Sequence, residues 1–239
     1  MARMNWFRGA VLVTCAILAT MTVRPADART KDKIPVHPAL SATPPDGAIV
    51  LFDGKAEQMH DNWYARRSKK PAGWTADEDG VATPNKRDIS SKQEFGDCYV
   101  HVEFREPMTG NGNSGVGMQG RYEVQILNSY GQRPEAHQCG AFYSQRAPKV
   151  IASKPAGQWQ TFDIFFRAPR FDGKGKVAEK ARATVYQNGI LIQEDAEFQG
   201  PTGIQYEQYK TEAPKGPIVL QGDHDPVQFR NVWVVPASY

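Results

Sequence analysis

From residue 46 onward the chain is a succession of short β-type runs broken by turn clusters. Residues 48–52 form an apolar run that ends at Asp53-Gly54. Residues 98–105 alternate, with Val100, Val102 and Phe104 on one side and His101, Glu103 and Arg105 on the other. Residues 121–127 repeat the pattern: Tyr122, Val124 and Ile126 oppose Arg121, Glu123 and Gln125. A period of two is what a strand gives when one face meets a core and the other meets water. Residues 158–167, 181–187, 218–221 and 229–235 are further β candidates. Asn188-Gly189, between Val185-Tyr186 and Ile190-Leu191, predicts a type I′ hairpin, because both central residues need positive φ. There is no amphipathic helix of useful length and no internal repeat. Many short strands at turn-punctuated spacing predict an all-β sandwich, jelly roll or barrel.

The first 45 residues differ in kind. Arg3 and Arg8 form a basic head, residues 9–23 are apolar, and Ala26-Asp27-Ala28 has the small-x-small form of a cleavage site. This layout predicts a secretory signal peptide over 1–28, too short in its apolar part to span a bilayer. Cys15 lies mid-core behind Thr14, which disfavours a lipoprotein. Residues 29–45, rich in Lys, Pro, Ser and Thr, read as a flexible leader to a domain over 46–239. A secreted or periplasmic location follows as an expectation. The formal charge of the whole chain is only +3 and is spread out, so nothing suggests a nucleic-acid partner. Cys98 and Cys139 remain after cleavage, and in an oxidising compartment they either pair or stay free. Sequence does not fix their Cα separation. No Cys/His spacing suits zinc.

The polar sides of the two alternating runs carry the most candidate chemistry. His101, Glu103 and Arg105, and then Arg121, Glu123 and Gln125, either form solvated faces or converge in a groove if the sheet is curved. In a groove, planar bidentate groups suit sugar hydroxyls. Asn113, within Asn111-Gly112-Asn113-Ser114-Gly115, belongs to a turn or to the groove mouth. His224, flanked by Asp223 and Asp225 and preceded by Gln221, is a solvated loop histidine or a tuned acid/base. Tyr143 and Lys154 are a candidate proton-transfer pair. The irregular residues 198–217, with Tyr206 and Tyr209, suit a binding loop.

An ordered set of motifs resembles one family. The set comprises Phe52-Asp53-Gly54-Lys55, Phe95-Gly96-Asp97-Cys98, Asn113-Ser114-Gly115-Val116, Gly120-Arg121-Tyr122-Glu123-Val124-Gln125-Ile126-Leu127 and Cys139-Gly140-Ala141-Phe142-Tyr143. It continues through Lys154-Pro155-Ala156-Gly157-Gln158-Trp159, Phe166-Arg167-Ala168-Pro169-Arg170-Phe171, Gly216-Pro217-Ile218-Val219-Leu220-Gln221 and Phe229-Arg230-Asn231-Val232-Trp233. Over about residues 46–236 it is similar to the 3-keto-disaccharide hydrolase family, formerly a domain of unknown function. The resemblance implies a concanavalin-A-like jelly roll of two curved antiparallel sheets. It also implies cleavage of 3-keto-glycosides by C2 proton abstraction, elimination and rehydration. The family's usual ending resembles Gln-(Asp or Gly)-His-(Gly or Asn); here Asp223 is inserted before His224.

On that basis Glu123 is the leading acid/base candidate and His224 the second. Arg121, Gln125, Asn113, Glu103, His101 and Gln221 are expected around the sugar. Tyr143 or Lys154 would meet oxyanion charge. Glu103 and Glu123 would form a carboxylate pair if their strands are neighbours. A divalent metal ion held by Glu123 and His224 is compatible with the residues and not required by them. The alternative is a non-catalytic carbohydrate-binding module, since this fold does not fix function; a structural cell-envelope domain is the third class. The expected partner is a small-molecule saccharide, and no transmembrane segment is expected in the mature chain.

Overall fold

The computed structural model describes residues 40–202 and 210–237. Residues 1–28, expected to be a signal peptide, most of the expected leader, Tyr206 and Tyr209 lie outside the described residues. The strands are β1 (Ile49–Phe52), β2 (Trp63–Ala65), β3 (Thr75–Ala76), β4 (Ala82–Thr83), β5 (Ile89–Phe95), β6 (Cys98–Arg105), β7 (Ser114–Met118) and β8 (Tyr122–Ile126). They continue as β9 (Gln160–Arg167), β10 (Arg170–Phe171), β11 (Val177–Glu179), β12 (Arg182–Gln187), β13 (Ile190–Glu197), β14 (Gly216–Leu220) and β15 (Gln228–Pro236). One short helix, α1 (Ala56–Asp61), follows β1.

Two antiparallel sheets stack as a jelly-roll sandwich. The first runs β13-β12-β9-β6-β15-β4-β3, with β1 also on β15. The second runs β2-β5-β14-β7-β8. β10 and β11 form a small hairpin apart. The alternation predicted this arrangement well. Val100, Val102 and Phe104 of β6 and Tyr122, Val124 and Ile126 of β8 all point inward and are fully buried in one core. The Asn188-Gly189 turn has the expected positive φ values of 52° and 78°, and joins β12 to β13 with Gln187 opposite Ile190.

The structure corrects one assumption about β6. Its outward side is buried as far as Glu103, and only Arg105 at its end is half-buried. Residues 41–50 lie over it: the Ser41 amide donates to Glu103, Asn231 Nδ2 donates to the Ala42 carbonyl, and Ala42, Ala48 and Val50 pack on Tyr99 and Trp233. Beneath that cover His101 Nδ1 meets Asp163 Oδ1 at 2.7 Å and the ring stacks on Trp233 at 4.9 Å. Glu103 accepts from Arg230 at 2.7 Å and from Asn231 at 2.9 Å. Cys98 and Cys139 are both buried free thiols, so the disulfide alternative is not realised. Among the described residues no helix is long and apolar enough to cross a membrane.

Candidate active site

The register of the second sheet defines its outer face. Across the strands, Tyr64 of β2 pairs with Ser90 of β5, Ser90 with Val219 of β14, Val219 with Gly117 of β7, and Gly117 with Glu123 of β8. These alternate with the core row Ala65, Ile89, Leu220, Val116 and Val124, so they share the face away from the core. One step along, Gly115 pairs with Gln125. Beyond β8, the Tyr143 amide donates to the Glu123 carbonyl at 3.3 Å, and the bridge between Val124 and Phe142 puts Tyr143 opposite Glu123 on the same face.

Gly115 and Gly117 are what give this face its shape. Neither carries a side chain, and both are buried, Gly115 beneath Glu123 and Gly117 beneath Val219. The Glu123 carboxylate uses this space: a Cβ at Gly115 would stand 2.6 Å from its Oε1. Burial pushes the Glu123 carboxyl up to about 7; a hydrogen bond from Gln221 and the Arg66 guanidinium oppose the rise, while Asp88 and Asp223 add to it. Near neutral pH Glu123 is therefore split between acid and carboxylate, the condition that suits a general base or acid.

The polar groups around Glu123 form a continuous chain. Gln221 touches the Glu123 carboxyl. The next residue, Gly222, donates its amide to Asp88 Oδ1 at 3.1 Å. Asp88 is salt-bridged to Arg66 at 3.3 Å and hydrogen-bonded to Asp223. Its own pKa is raised, first by burial and then by the Asp223 charge. Asp223 Oδ1 lies 3.4 Å from His224 Nε2. Arg66 also reaches the Gly120 carbonyl at 2.9 Å. The inserted Asp223 thus ties the exposed His224 to the buried Asp88.

Other expected residues serve the frame around this face. Gln125 donates to Asn113 Oδ1 at 3.0 Å, and the Asn113 amide donates to Asp225 Oδ2 at 2.8 Å. Arg121 turns its guanidinium to the Gln119 and Thr211 carbonyls, at 2.8 and 2.5 Å. The Thr202 hydroxyl oxygen accepts from the Glu123 amide at 2.9 Å, which fastens that segment along β8.

Two expected residues stand elsewhere. His101 and Glu103 belong to β6, in the other sheet, and are sealed under residues 41–50. The Glu103–Glu123 pairing is accordingly corrected: their strands are in different sheets, because β6 pairs with β9 and β15 and β8 pairs with β7. Lys154 stands just ahead of β9 and donates from Nζ to the Trp159 carbonyl at 3.1 Å. The Tyr143 ring meets His137 edge-on at 5.2 Å. A second carboxyl, Glu106, is also pushed up to about 7 by burial, but it is held inside the sandwich by Gln160 at 2.5 Å. Geometry, and not the shift, separates it from Glu123. Among the described residues no three His, Cys, Asp or Glu side chains are grouped to hold a metal ion.

Arg66 and Asp88 escaped the sequence reading. They sit in short charged turns at strand ends, Arg66-Arg67 and Lys86-Arg87-Asp88, which read as solvated surface, and only the order β2-β5-β14-β7-β8 brings them to Glu123.

Residues 47–235 match the family model of the 3-keto-alpha-glucoside-1,2-lyase-like domain. The chain belongs to that family. The same fold occurs in a solved protein from Parabacteroides distasonis ATCC 8503 described as a candidate glycosyl hydrolase. It is 38% identical, with 80% of this chain and 84% of that one covered and a TM-score of 0.71. Two more proteins of that organism with the same description share the fold at lower identity. One is 18% identical, covering 80% of this chain and 95% of its own, with a TM-score of 0.57. The other is 20% identical, covering 79% and 98%, with a TM-score of 0.56. No curated protein matches the chain. Membership of this family assigns the chain a carbohydrate-active role of glycosyl hydrolase type.

Proposed function

We propose that the protein is an enzyme that cleaves 3-keto-glycosides, with Glu123 as the group that takes the C2 proton. The observation that carries this reading is the Glu123 carboxyl, set over a glycine floor and held near pKa 7. A ketone at C3 acidifies the C2 hydrogen, so a carboxylate of ordinary strength suffices as base. In an unactivated acetal, by contrast, two carboxylates must flank the C1–O bond. Glu123 has no second carboxylate on the adjacent strand β7; its counterparts, Asp88 and Asp223, lie across the sheet.

In this reading the sugar ring lies against the Glu123 carboxyl, which itself fills the space over Gly115. Glu123 removes the C2 proton, and the electron pair of the C2–H bond forms the enolate. The enolate then expels the C1 substituent, leaving a C1–C2 double bond, and the proton ends on the departing oxygen. Addition of one water, H to C2 and OH to C1, completes net hydrolysis. Tyr143, opposite Glu123, is the hydroxyl proposed to meet enolate charge. His224, through Asp223, is proposed for the proton to the leaving oxygen, and Gln221 orients the Glu123 carboxyl. The basic head and apolar run at 1–28 support the further proposal that the enzyme is exported.

Incubation with a 3-keto-disaccharide and, separately, with its unoxidised parent tests the reading. Turnover of the keto sugar alone is expected. Equal turnover of both, or binding without turnover of either as a carbohydrate-binding module would give, contradicts it.

A further inference from the structure

The chain of polar groups that begins at Glu123 ends in a cavity. Beside Asp88, between the turn that follows β2 and the loop that leads into β5, opens a cleft of about 380 Å³. Its walls include Arg66, Arg67, Lys70, Lys86 and Arg87, against the carboxyl groups of Asp88 and Asp223. The chain as a whole is nearly balanced, with 29 basic and 26 acidic residues, so five basic residues lining one concavity, of which Arg66 is paired with Asp88, are a local concentration.

The two acids do not neutralise it. Asp88 is already matched by Arg66 at 3.3 Å, and it shares a hydrogen bond with Asp223. Among the described residues Lys70, Lys86 and Arg87 have no carboxylate within 4.0 Å. Cations that converge on a cavity repel one another, and the cavity's low-dielectric walls focus their field inward. An anion in the cleft relieves that repulsion, and an acidic substrate is attracted to it from solution.

We propose that this cleft is an anion subsite, which takes the carboxylate or sulfate of an acidic saccharide whose reacting ring lies against Glu123. The inference rests on the proposed function, because it uses the same face for the reacting ring. It adds the class of substrate: a glycoside with a negative charge on the part that lies toward β2. Lys86 and Arg87 then act as specificity residues, since they select the substrate and do not touch the reacting atoms.

Calorimetric titration of the wild-type protein with three sugars tests this: maltose, its glucuronosyl analogue and its sulfate ester. The expected result is binding of one or both anionic sugars about tenfold tighter than maltose, a gap equal to one well-formed charge-assisted contact. That preference should shrink in about 0.5 M NaCl. It should also fall to about twofold or less in Lys86→Ala/Arg87→Ala, and in Lys70→Gln/Lys86→Gln should the first pair unfold. A uronate preference without a sulfate preference, or the reverse, identifies the anion. Equal affinity for all three sugars, no binding, or a preference that survives the substitutions overturns the proposal. Turnover of a neutral 3-keto-disaccharide and of its anionic counterpart, measured on the same wild-type sample, keeps the two ideas apart. Turnover without anion preference removes the subsite alone; anion preference without turnover removes the catalytic reading alone.

Discussion

The Glu123 carboxylate and the Cα of Gly115 occupy adjoining space, such that a single methyl group on Gly115 would lie 2.6 Å from Glu123 Oε1. Gly115→Ala is therefore expected to leave the fold intact, because what it meets is the end of a side chain that can swing away. The carboxylate would leave its place. Turnover should fall about 10²-fold, the usual cost of misplacing a reacting group by an ångström. Its melting temperature should stay within a few degrees of wild type.

Glu123→Gln should abolish the proton transfer and cost at least about 10²-fold in turnover. Its effect on stability has the opposite sign. The folded pKa is raised from 4.5 to about 7, so ionisation opposes folding. The penalty is absent below pH 4.5, grows as pH rises toward 7 and is complete above it. The variant should be more stable than wild type at alkaline pH, by on the order of 1–3 kcal/mol, and no more stable at pH 4. Denaturant midpoints at the two pH values measure this.

The same titration sets the acid limb of the rate profile. A base must be ionised, so kcat/KM should rise with pH to a midpoint at about 7. Arg66 pulls that pKa down. Arg66→Ala should move the midpoint to higher pH, a shift that mere loss of folded protein would not produce.

His101 belongs to a different account. Burial alone would depress its pKa, but hydrogen bonds with Asp163 and Glu103 outweigh burial and raise it. Burial likewise opposes Glu103 ionisation, yet hydrogen bonds from His101, Asn231, Arg230 and Ser41 bring it down to about 2. The histidine contribution is complete below its ordinary value of 6.5 and is lost as pH rises through the raised value. The Glu103 contribution is present above 4.5 and is lost as pH falls through about 2. His101→Phe should cost on the order of 1–3 kcal/mol between pH 5 and 6, and less at alkaline pH, because it removes one partner from each of two buried carboxylates. Arg230, Asn231 and Ser41 still hold Glu103, and Tyr99 still holds Asp163. Turnover per folded molecule should not change, since the network is on the other sheet.

The frame was legible because period-two alternation survives burial. Val100, Val102, Phe104, Tyr122, Val124 and Ile126 are the inward residues that the pattern marked. What alternation cannot report is the cover on the other face. His101 and Glu103 look like wet-face residues in sequence, and residues 41–50 hide them. β7, Ser114–Met118, was hidden for a related reason: its first two residues end the run Asn111-Gly112-Asn113-Ser114-Gly115, which reads as a turn. In the sheet Gly115 and Gly117 lie beneath Glu123 and Val219. Glu123 and His224 were visible as chemistry on a strand and in a loop. Arg66 and Asp88 were not, because long-range strand order alone makes them neighbours of Glu123.

The central claim is that the C2–H bond breaks, and that Glu123 breaks it. Comparing turnover of a 3-keto-disaccharide carrying deuterium at C2 with that of the protonated sugar reads this step directly, at a pH where Glu123 is ionised. A primary isotope effect on kcat/KM, with the label washed out into water, is the predicted result. Cleavage at equal rates with the deuterium retained at C2 would mean that the glycosidic bond breaks without proton abstraction, and would contradict the account.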